Sequence, residues 1–250
     1  MRKAVGLIPT RLNSKRLPRK SLKILGSLPV IIHTYRRAVL AKKLEDVYIC
    51  CDSEEVMSAA KKYNAKAIIT SKQHQCGTDR ISEALKKIEN KFDQIINIQG
   101  DEPLIDPKNI DRVVKFHRKN KNYDIILPNL KINFTKDPHI VRLIFNKNKE
   151  VIYITRSQTP YQFIKKTKKL YKHLSIVSFK PNALKRYSQN PQSQLELIED
   201  IELLRAIDIG LKIKTFTSKG DSFSIDVPKN LIQARKKIIT DKLYKIYKND

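Results

Sequence analysis

The sequence is poor in glycine, cysteine and acidic residues, and it contains no tryptophan. Only 6 of its 250 residues are glycine and 3 are cysteine, which excludes glycine-repeat and disulfide-rich scaffolds. No apolar run approaches the ~18 residues of a membrane span, and the apolar stretch near the N-terminus is too short for a signal peptide. We therefore expect a soluble, cytoplasmic protein without a membrane partner, in which Cys50, Cys51 and Cys76 are reduced thiols.

The shortage of acidic residues gives the chain a strong positive charge. It has 51 Lys+Arg against 25 Asp+Glu, a formal net charge of +26. One interpretation is a nucleic-acid-binding protein, since clustered cations gain affinity by releasing counterions from polyphosphate. The other is lysine spread over solvated helix faces. No helix-turn-helix, zinc-finger or RNA-recognition signature accompanies the charge, so we expect no specific nucleic-acid partner.

The first half of the chain alternates apolar runs with amphipathic segments. The apolar runs are continuous rather than alternating, which is typical of parallel strands buried on both faces. The intervening segments carry apolar residues at three- and four-residue spacing, as helices do. This pattern predicts an α/β fold with a Rossmann-like, mostly parallel sheet and helices on both faces. The predicted strands are 3–9, 47–52, 65–70 and 94–100, and the predicted helices are 28–43, 54–64, 79–91 and 107–120.

The second half loses this alternation and predicts a smaller mixed α/β lobe. Two strands flank a polar turn at 146–149, which favours a hairpin over a crossover. We expect one domain over 1–250 that carries this lobe at roughly 130–215. The other predicted elements are a strand within 171–179, a short helix at 181–189, one capped helix at 193–210, a strand at 212–217 and a closing helix from about Pro228 to the end.

A cationic loop, "IPTRLNSKRLPRK" at 8–20, follows the first predicted strand. Ligands of open parallel sheets bind beyond the carboxyl ends of the strands, where this loop lies. Because the loop has no glycine, a phosphate here would be held mainly by side chains. Arg11, Arg16 and Lys20 together could neutralise a triphosphate. The alternative is a basic surface loop that binds nothing.

Two aspartates are candidate metal ligands. Asp101 follows the apolar strand of "IINIQGDEPLI" and should lie on the same sheet edge as Arg11. Asp226 ends a short apolar stretch before the proline that opens the last helix. Carboxylates that face cations around a phosphate are suited to hold Mg²⁺, which prefers hard oxygen ligands. Either aspartate could instead be a turn or cap residue.

Four motifs in this order resemble those of a known enzyme family. They are "IPTRLNSKRLPRK", "HQCGTDR", "NIQGDEPLI" and "SIDVPKNL", with the hairpin "DPHIVRLIFNKNKEVIYITRSQTPY" between the last two. The sequence resembles the sugar-acid cytidylyltransferases, and most closely the 3-deoxy-manno-octulosonate (Kdo) cytidylyltransferases. The resemblance implies a nucleotide-diphospho-sugar transferase type of fold and a homodimer formed through the lobe. It also implies that CTP and an ulosonic acid give a CMP-sugar and pyrophosphate, with Mg²⁺, for lipopolysaccharide or surface-glycan synthesis.

The resemblance also implies roles for individual residues. The triphosphate would be surrounded by Arg11, Ser14, Lys15, Arg16 and Lys20, of which Arg16 and Lys20 stabilise the pyrophosphate as it forms. The cytosine and ribose would lie among Gln75, Gly77, Thr78, Arg80 and Gln99. Asp101 and Asp226 would hold Mg²⁺. The sugar acid would face Arg156, His173 and Glu202, although His173 could equally be a strand histidine packed in the lobe.

The chain departs from the family pattern at four positions. Val177 and Phe179 stand where the family has the tyrosines of "GIYAYR", Leu203 replaces the glutamine of "LEQLR", and Ser224 replaces the glycine of "GVDTP". We expect these changes on the sugar-acid side of the site or beside Asp226. A modified octulosonate that carries an amine, a nonulosonate, and a member that binds nucleotide without chemistry therefore remain open. An amine could meet a glutamate of the lobe helix such as Glu202, whereas Glu196 and Glu199 are expected to be solvated.

Overall fold

The computed structural model describes residues 3–14, 16–89, 91–220 and 223–248. The strands are β1 (Ala4–Pro9), β2 (Ile24–Leu25), β3 (Leu28–Pro29), β4 (Asp46–Cys51), β5 (Ala67–Ile69), β6 (Gln94–Ile98), β7 (Ile125–Ile126), β8 (Asn129–Asn133), β9 (Arg142–Phe145), β10 (Val151–Thr155), β11 (Lys169–His173), β12 (Ile176–Phe179) and β13 (Ile213–Lys214). The helices are α1 (Val30–Val39), α2 (Glu54–Lys62), α3 (Gly77–Lys86), α4 (Pro107–Lys119), α5 (Pro181–Ser188), α6 (Gln194–Glu199), α7 (Leu203–Asp208), α8 (Pro228–Ile239) and α9 (Tyr244–Tyr247).

The main sheet has seven strands in the order β13-β7-β12-β6-β1-β4-β5. All neighbouring pairs are parallel except those of β12, which is antiparallel to β6 and β7. The predicted α/β fold with a mostly parallel sheet is confirmed. Because β1 lies between β4 and β6, the loops that follow β1 and β6 emerge side by side at one edge.

Helices cover both faces of the main sheet. In β6, Ile96 and Ile98 pack in one core cluster with α1, α2 and α4, whereas Ile95 packs in a second cluster with α3, α5 and α7. Successive side chains of a strand point to opposite faces, so a continuous apolar run supplies both clusters at once. This is the physical reason that the strands could be recognised in the sequence.

The lobe contains a separate antiparallel sheet in the order β10-β9-β11-β8. The predicted hairpin at its edge is confirmed: β9 and β10 pair antiparallel, and the turn between them contains Lys149 at φ +64°. That the lobe binds a sugar acid and forms a dimer stays a prediction.

A third, smaller core cluster joins the cationic loop to the C-terminal part of the chain. Leu17 of the loop and Ile225, next to Asp226, pack with Leu231 and Ala234 of α8. Each of these four side chains is less than a tenth exposed. This cluster holds the cationic loop and the segment of Asp226 beside each other.

Three predicted elements of the second half are divided or shorter than expected. The strand within 171–179 is two strands in different sheets, since the chain leaves the lobe at Leu174 and enters the main sheet at Ile176. The helix at 193–210 is interrupted at Asp200, which has a left-handed backbone with φ +52° and separates α6 from α7. The closing helix ends at Ile239 and is followed by the separate short helix α9; between them, Asp241 accepts hydrogen bonds from the Arg37 side chain and the Tyr244 N–H.

Val177 and Phe179 are buried in the core rather than at a binding surface. Both lie on β12 and are at most 1% exposed. Phe179 makes an edge contact with the ring of Tyr187. The expectation that these two departures fall on the sugar-acid side is wrong, because β12 is inserted between β6 and β7 and packed beneath helices.

In the described part of the chain no helix is long and apolar enough to cross a membrane. Cys50 and Cys51 are buried, Cys76 is half-buried, and none of the three forms a disulfide.

Candidate active site

A cleft of about 680 Å³ opens between the carboxyl-end loops of β1 and β6, the first turn of α3 and the lobe. The strand ends approach closely: a Cβ added at Gly100 would lie 2.8 Å from the carbonyl oxygen of Pro9. A side chain at position 100 would therefore force the two loops apart. The predicted site residues that line the cleft are Arg11, Ser14, Arg16, Lys20, Gln75, Gly77, Arg80, Gln99, Asp101, Arg156, His173, Glu202 and Asp226.

Two cations of the loop contact the two predicted metal ligands. Lys20 Nζ lies 2.8 Å from Asp101 Oδ2 and 3.3 Å from Asp226 Oδ1. An Arg16 guanidinium nitrogen lies 3.0 Å from the same Asp226 oxygen. We call Arg16, Lys20, Asp101 and Asp226 the four-charge cluster. The structure thus brings together two aspartates that are far apart in the sequence, both in contact with one ammonium group.

Buried Glu102 fixes the segment that carries Asp226. Its carboxylate is 1% exposed and accepts hydrogen bonds from Ser224 Oγ at 2.8 Å, Ser175 Oγ at 2.8 Å and the Phe223 N–H at 3.0 Å. Ser224, one of the departures from the family pattern, thus adds a hydrogen bond beside Asp226. We did not predict a role for Glu102; its only signal is an acid directly after Asp101.

A second carboxylate, that of Asp52, holds the start of the cationic loop. Asp52 Oδ1 accepts from the Leu12 N–H at 3.0 Å, and its other oxygen contacts Arg80 at 3.2 Å. Arg80 also donates to Thr70 Oγ1 at 2.7 Å and is 3% exposed. Arg80 lines the cleft, but its guanidinium is largely committed to these protein partners. Lys15, predicted at the triphosphate, lies outside the described residues.

The first turn of α3 is covered by Glu202. Glu202 Oε2 accepts from the Thr78 N–H at 3.0 Å, and Oε1 lies 3.4 Å from Gln99 Nε2. Burial raises the pKa of the Glu202 carboxyl. Glu202 was predicted with the sugar acid, but its contacts are with residues predicted at the nucleotide. Thr78 itself is fully buried and is the described member of the predicted set that does not line the cleft.

A buried ion-pair network holds the first turn of α3 through Asp79. Arg205, which is 2% exposed, contacts both oxygens of Glu196 at 2.7 Å and Asp79 Oδ1 at 3.0 Å. The expectation that Glu196 is solvated is wrong, since it is 3% exposed. Sequence spacing gave no signal for this network, because its three members lie on α3, α6 and α7.

The other end of the cleft contains Arg156 and His173. Arg156 donates to the carbonyl oxygens of Glu199 at 2.8 Å and Asp200 at 3.2 Å. The Glu199 carboxylate accepts from the Arg156 N–H at 2.9 Å and from Thr155 Oγ1 at 2.6 Å, so the expectation that Glu199 is simply solvated is wrong. Glu199 therefore positions Arg156.

His173 Nε2 is shielded from solvent and has no hydrogen-bond partner among the described residues. Burial, together with the positive charges of Lys172 and Arg156, lowers the pKa of His173 to about 4. The imidazole is therefore neutral near pH 7, and His173 forms part of the cleft wall.

The residues at the four-charge cluster fit a magnesium ion. Within the described ranges no three His, Cys, Asp or Glu side chains cluster as a protein-only metal site. Mg²⁺ is commonly bound through one or two carboxylates, with phosphate oxygens and waters as its other ligands. Asp101 and Asp226 already share the cationic Nζ of Lys20, so one cation can contact both carboxylates.

Comparisons with known proteins agree with this geometry. A family model described as "Cytidylyltransferase" matches residues 5–213. The chain is 38% identical to a 3-deoxy-manno-octulosonate cytidylyltransferase of Thermodesulfovibrio yellowstonii, over 92% of this chain and 96% of that one. It is 34% identical to an 8-amino-3,8-dideoxy-manno-octulosonate cytidylyltransferase of Shewanella baltica, over 94% and 98% of the two chains.

A solved structure of a CMP:2-keto-3-deoxy-manno-octonic acid synthetase complexed with CTP has the same fold. It superposes with a TM-score of 0.88 at 31% identity and covers 95% of this chain and 98% of that one. Since the family model spans most of the chain and relatives at 34–38% identity span nearly all of it, the protein belongs to the cytidylyltransferase family, whose members are nucleotidyltransferases.

Proposed function

We propose that the protein transfers CMP from CTP to an eight-carbon ulosonic acid, either Kdo or its 8-amino derivative, and releases pyrophosphate. The observation that carries the proposal is the two-ended cleft. One end presents the cationic loop opposite Asp101 and Asp226, and the other presents Arg156 and the unpaired nitrogen of His173. Relatives named for both acids match nearly the whole chain, which supports the substrate class without choosing between them.

In the proposed reaction, the anomeric hydroxyl of the sugar acid attacks the α-phosphorus of CTP. The new O–P bond forms as the bond to the β-phosphate oxygen breaks, pyrophosphate leaves, and the hydroxyl proton passes to solvent. Such a transfer depends mainly on positioning and electrostatic stabilisation. Arg16 and Lys20 offset the charge of the leaving pyrophosphate, and Arg156 pairs with the carboxylate of the sugar acid.

We further propose Mg²⁺ as the cofactor, held by Asp101 and Asp226. When bound, it would neutralise phosphate charge and lower the pKa of the attacking hydroxyl. The support is the pair of carboxylates that already face a single cationic atom. We also propose a cytoplasmic location, for which three unpaired thiols are typical.

We propose a homodimer that buries an apolar part of the lobe. Tyr161, Phe163 and Ile164, between β10 and β11, are 84%, 87% and 94% exposed. Clustered apolar side chains of this size are typical of interaction surfaces, and a second copy of the chain covers them in this proposal.

Phe163→Asp should give a monomer in light scattering. The matched variant Ile239→Asp, which alters an exposed isoleucine of α8, should leave the dimer intact; a wild-type monomer would contradict the proposal.

The reaction is tested by pyrophosphate release from CTP with Kdo and with 8-amino-Kdo, measured side by side. A nonulosonic acid and a reaction without acid are the controls. We expect release with at least one octulosonic acid in the presence of Mg²⁺, and no release in either control. Leu203→Gln is assayed in parallel. Leucine cannot form a hydrogen bond, so a polar group of the acid buried against Leu203 would be unpaired and disfavoured. A change in the preferred acid in this variant would show that residue 203 sets the choice. Absence of release with both octulosonic acids would refute the proposed function.

A further inference from the structure

The four-charge cluster is electrically balanced in the structure described here. Asp101 and Asp226 supply two negative charges, and Arg16 and Lys20 supply two positive charges, all within contacts of 2.8–3.3 Å. The same four residues are those to which the proposed function assigns the metal and the triphosphate. Each of them therefore has a partner that it must give up before it can bind its ligand.

We propose that this pairing couples the binding of nucleotide to the binding of the divalent cation. In the free protein Lys20 and Arg16 occupy the carboxylates. When Lys20 and Arg16 pair with the triphosphate, Asp101 and Asp226 become free to hold the divalent cation. The inference rests on the proposed function, since it concerns how that site is loaded.

Geometry opposes a metal ion that arrives alone. Mg²⁺ needs its oxygen ligands at about 2.0–2.1 Å. Lys20 Nζ already lies within hydrogen-bonding distance of both carboxylates, so a dication between them would be in direct contact with an ammonium group. The metal ion must therefore displace Lys20, which then loses two ionic partners and gains none.

Electrostatics likewise oppose a triphosphate that arrives alone. To reach it, Lys20 and Arg16 must leave the aspartates, and two uncompensated carboxylates would then stand beside a polyanion. When both ligands are present, phosphate pairs with the two cations and the metal ion pairs with the two carboxylates. Because each ligand removes a cost from the other, the coupling is positive and, by thermodynamic linkage, reciprocal.

Lys20 should contribute more to this coupling than Arg16. The Lys20 and Asp101 side chains are 17% and 24% exposed, whereas the Arg16 side chain is 54% exposed. Solvent and salt screen an exposed pair strongly, so the Arg16 pair is the weaker one. The flexible four-carbon stem of lysine also lets its ammonium group move without a change in the backbone.

The first test measures Mn²⁺ affinity without nucleotide, by the paramagnetic resonance signal of free Mn²⁺. Lys20→Met frees both carboxylates and should bind Mn²⁺ about tenfold more tightly than wild type. Arg16→Met should give a smaller gain. Arg19→Met is the matched control, because it removes the same charge from the same loop but breaks an ion pair with Glu55, which lies outside the cluster. It should bind Mn²⁺ like wild type.

The second test adds nucleotide as an exchange-inert chromium(III) complex of CTP, which does not itself bind the added Mn²⁺. We expect it to raise the Mn²⁺ affinity of wild type about tenfold and that of Lys20→Met by much less. Adding Asp101→Asn to Lys20→Met should abolish the gain, which locates the ion. Thermal melting confirms that each variant folds. If Lys20→Met does not fold, Arg16→Met, which alters an exposed side chain, tests the same coupling.

Equal Mn²⁺ affinity in wild type, Lys20→Met and Arg16→Met would overturn the inference, as would no effect of the nucleotide on wild type. These results are separate from those that decide the proposed function. A wild-type protein that releases pyrophosphate but shows no coupling refutes the inference alone, and a protein that releases none refutes the proposed function.

Discussion

The two ends of the cleft differ in how their polar groups are paired. At the end proposed to bind the triphosphate, which we call the phosphate end, the Lys20 ammonium contacts two carboxylates and Arg16 contacts one of them. At the end proposed to bind the sugar acid, which we call the sugar-acid end, His173 Nε2 is shielded from solvent without a described partner, and Arg156 is held by backbone carbonyls. The first end is thus dominated by ion pairs, although Ser21 Oγ there also lacks a described partner, whereas the second end has a neutral imidazole with an unpaired nitrogen.

This difference indicates two ways of preparing a binding site. Ion pairs keep the phosphate end ordered, but they must be exchanged when ligands bind. An unpaired buried nitrogen costs about 1–3 kcal/mol, which a ligand regains when it forms the missing hydrogen bond. The sugar-acid end should therefore select by hydrogen-bond geometry, and the phosphate end by charge.

The strongest test of the phosphate end is Asp101→Asn. We expect turnover in Mg²⁺ to fall about a thousandfold, because the variant keeps the shape of the side chain but loses the charge that holds the cation. The circular dichroism spectrum should not change. Asp106→Asn, which alters the carboxylate that caps α4, is the matched control and should retain turnover. An active Asp101→Asn enzyme would contradict the assigned role.

At the sugar-acid end, Arg156→Met should separate the two substrates. We expect the KM for the sugar acid to rise about tenfold to a hundredfold, because one charged hydrogen-bonded pair with the ligand is lost. The KM for CTP should change little. Steady-state kinetics with each substrate varied in turn measure both values. An equal rise in both would mean that the two ends do not act separately.

The neutral state of His173 predicts a pH dependence of stability. Its pKa in the folded protein is about 4, below the unperturbed value near 6.5, so the unfolded chain binds the proton more tightly. Above pH 6.5 His173 is neutral in both states and does not lower the free energy of unfolding. As the pH falls from 6.5 to 4, the unfolded chain takes up the proton first, and the free energy of unfolding decreases by up to about 1.4 kcal/mol per pH unit. His173→Gln should show a shallower loss in urea denaturation between pH 7 and 5. An unchanged slope would contradict the assignment.

The smallest effect is expected for Ser224→Gly, which removes the hydrogen bond to Glu102 and restores the glycine usual in the family. The free energy of unfolding should fall by about 1 kcal/mol. Pyrophosphate release should change less than tenfold, because Phe223 and Ser175 still donate to Glu102. A complete loss of activity would show that the serine itself is required at the metal site.

Much of the main sheet could be predicted from the sequence, because strands buried on both faces are continuous apolar runs. The meeting of Asp101 and Asp226 in one cluster was also predicted, through the motifs that carry the family resemblance. Local patterns could not show that the chain between Leu174 and Ile176 passes from one sheet to another. Nor could they show that Asp200 takes a left-handed backbone while its carbonyl and that of Glu199 bind Arg156.

The environment of Glu196 escaped prediction for a related reason. On an amphipathic helix an acid is expected to face solvent, and only the fold brings Arg205 beside it. Val177 and Phe179 illustrate the opposite error, since a motif position was equated with a binding position although both side chains are packed in the core. In each case long-range packing decided what the side chain does.

The packing of Leu17 and Ile225 with α8 has a consequence for synthesis of the protein. In the order of synthesis the cationic loop comes directly after β1, whereas α8 comes after every described strand of the main sheet. A nascent chain that stops short of Pro228 lacks this support on one side of the cleft. Nucleotide binding should therefore begin only after α8 has been made and has packed against Leu17 and Ile225.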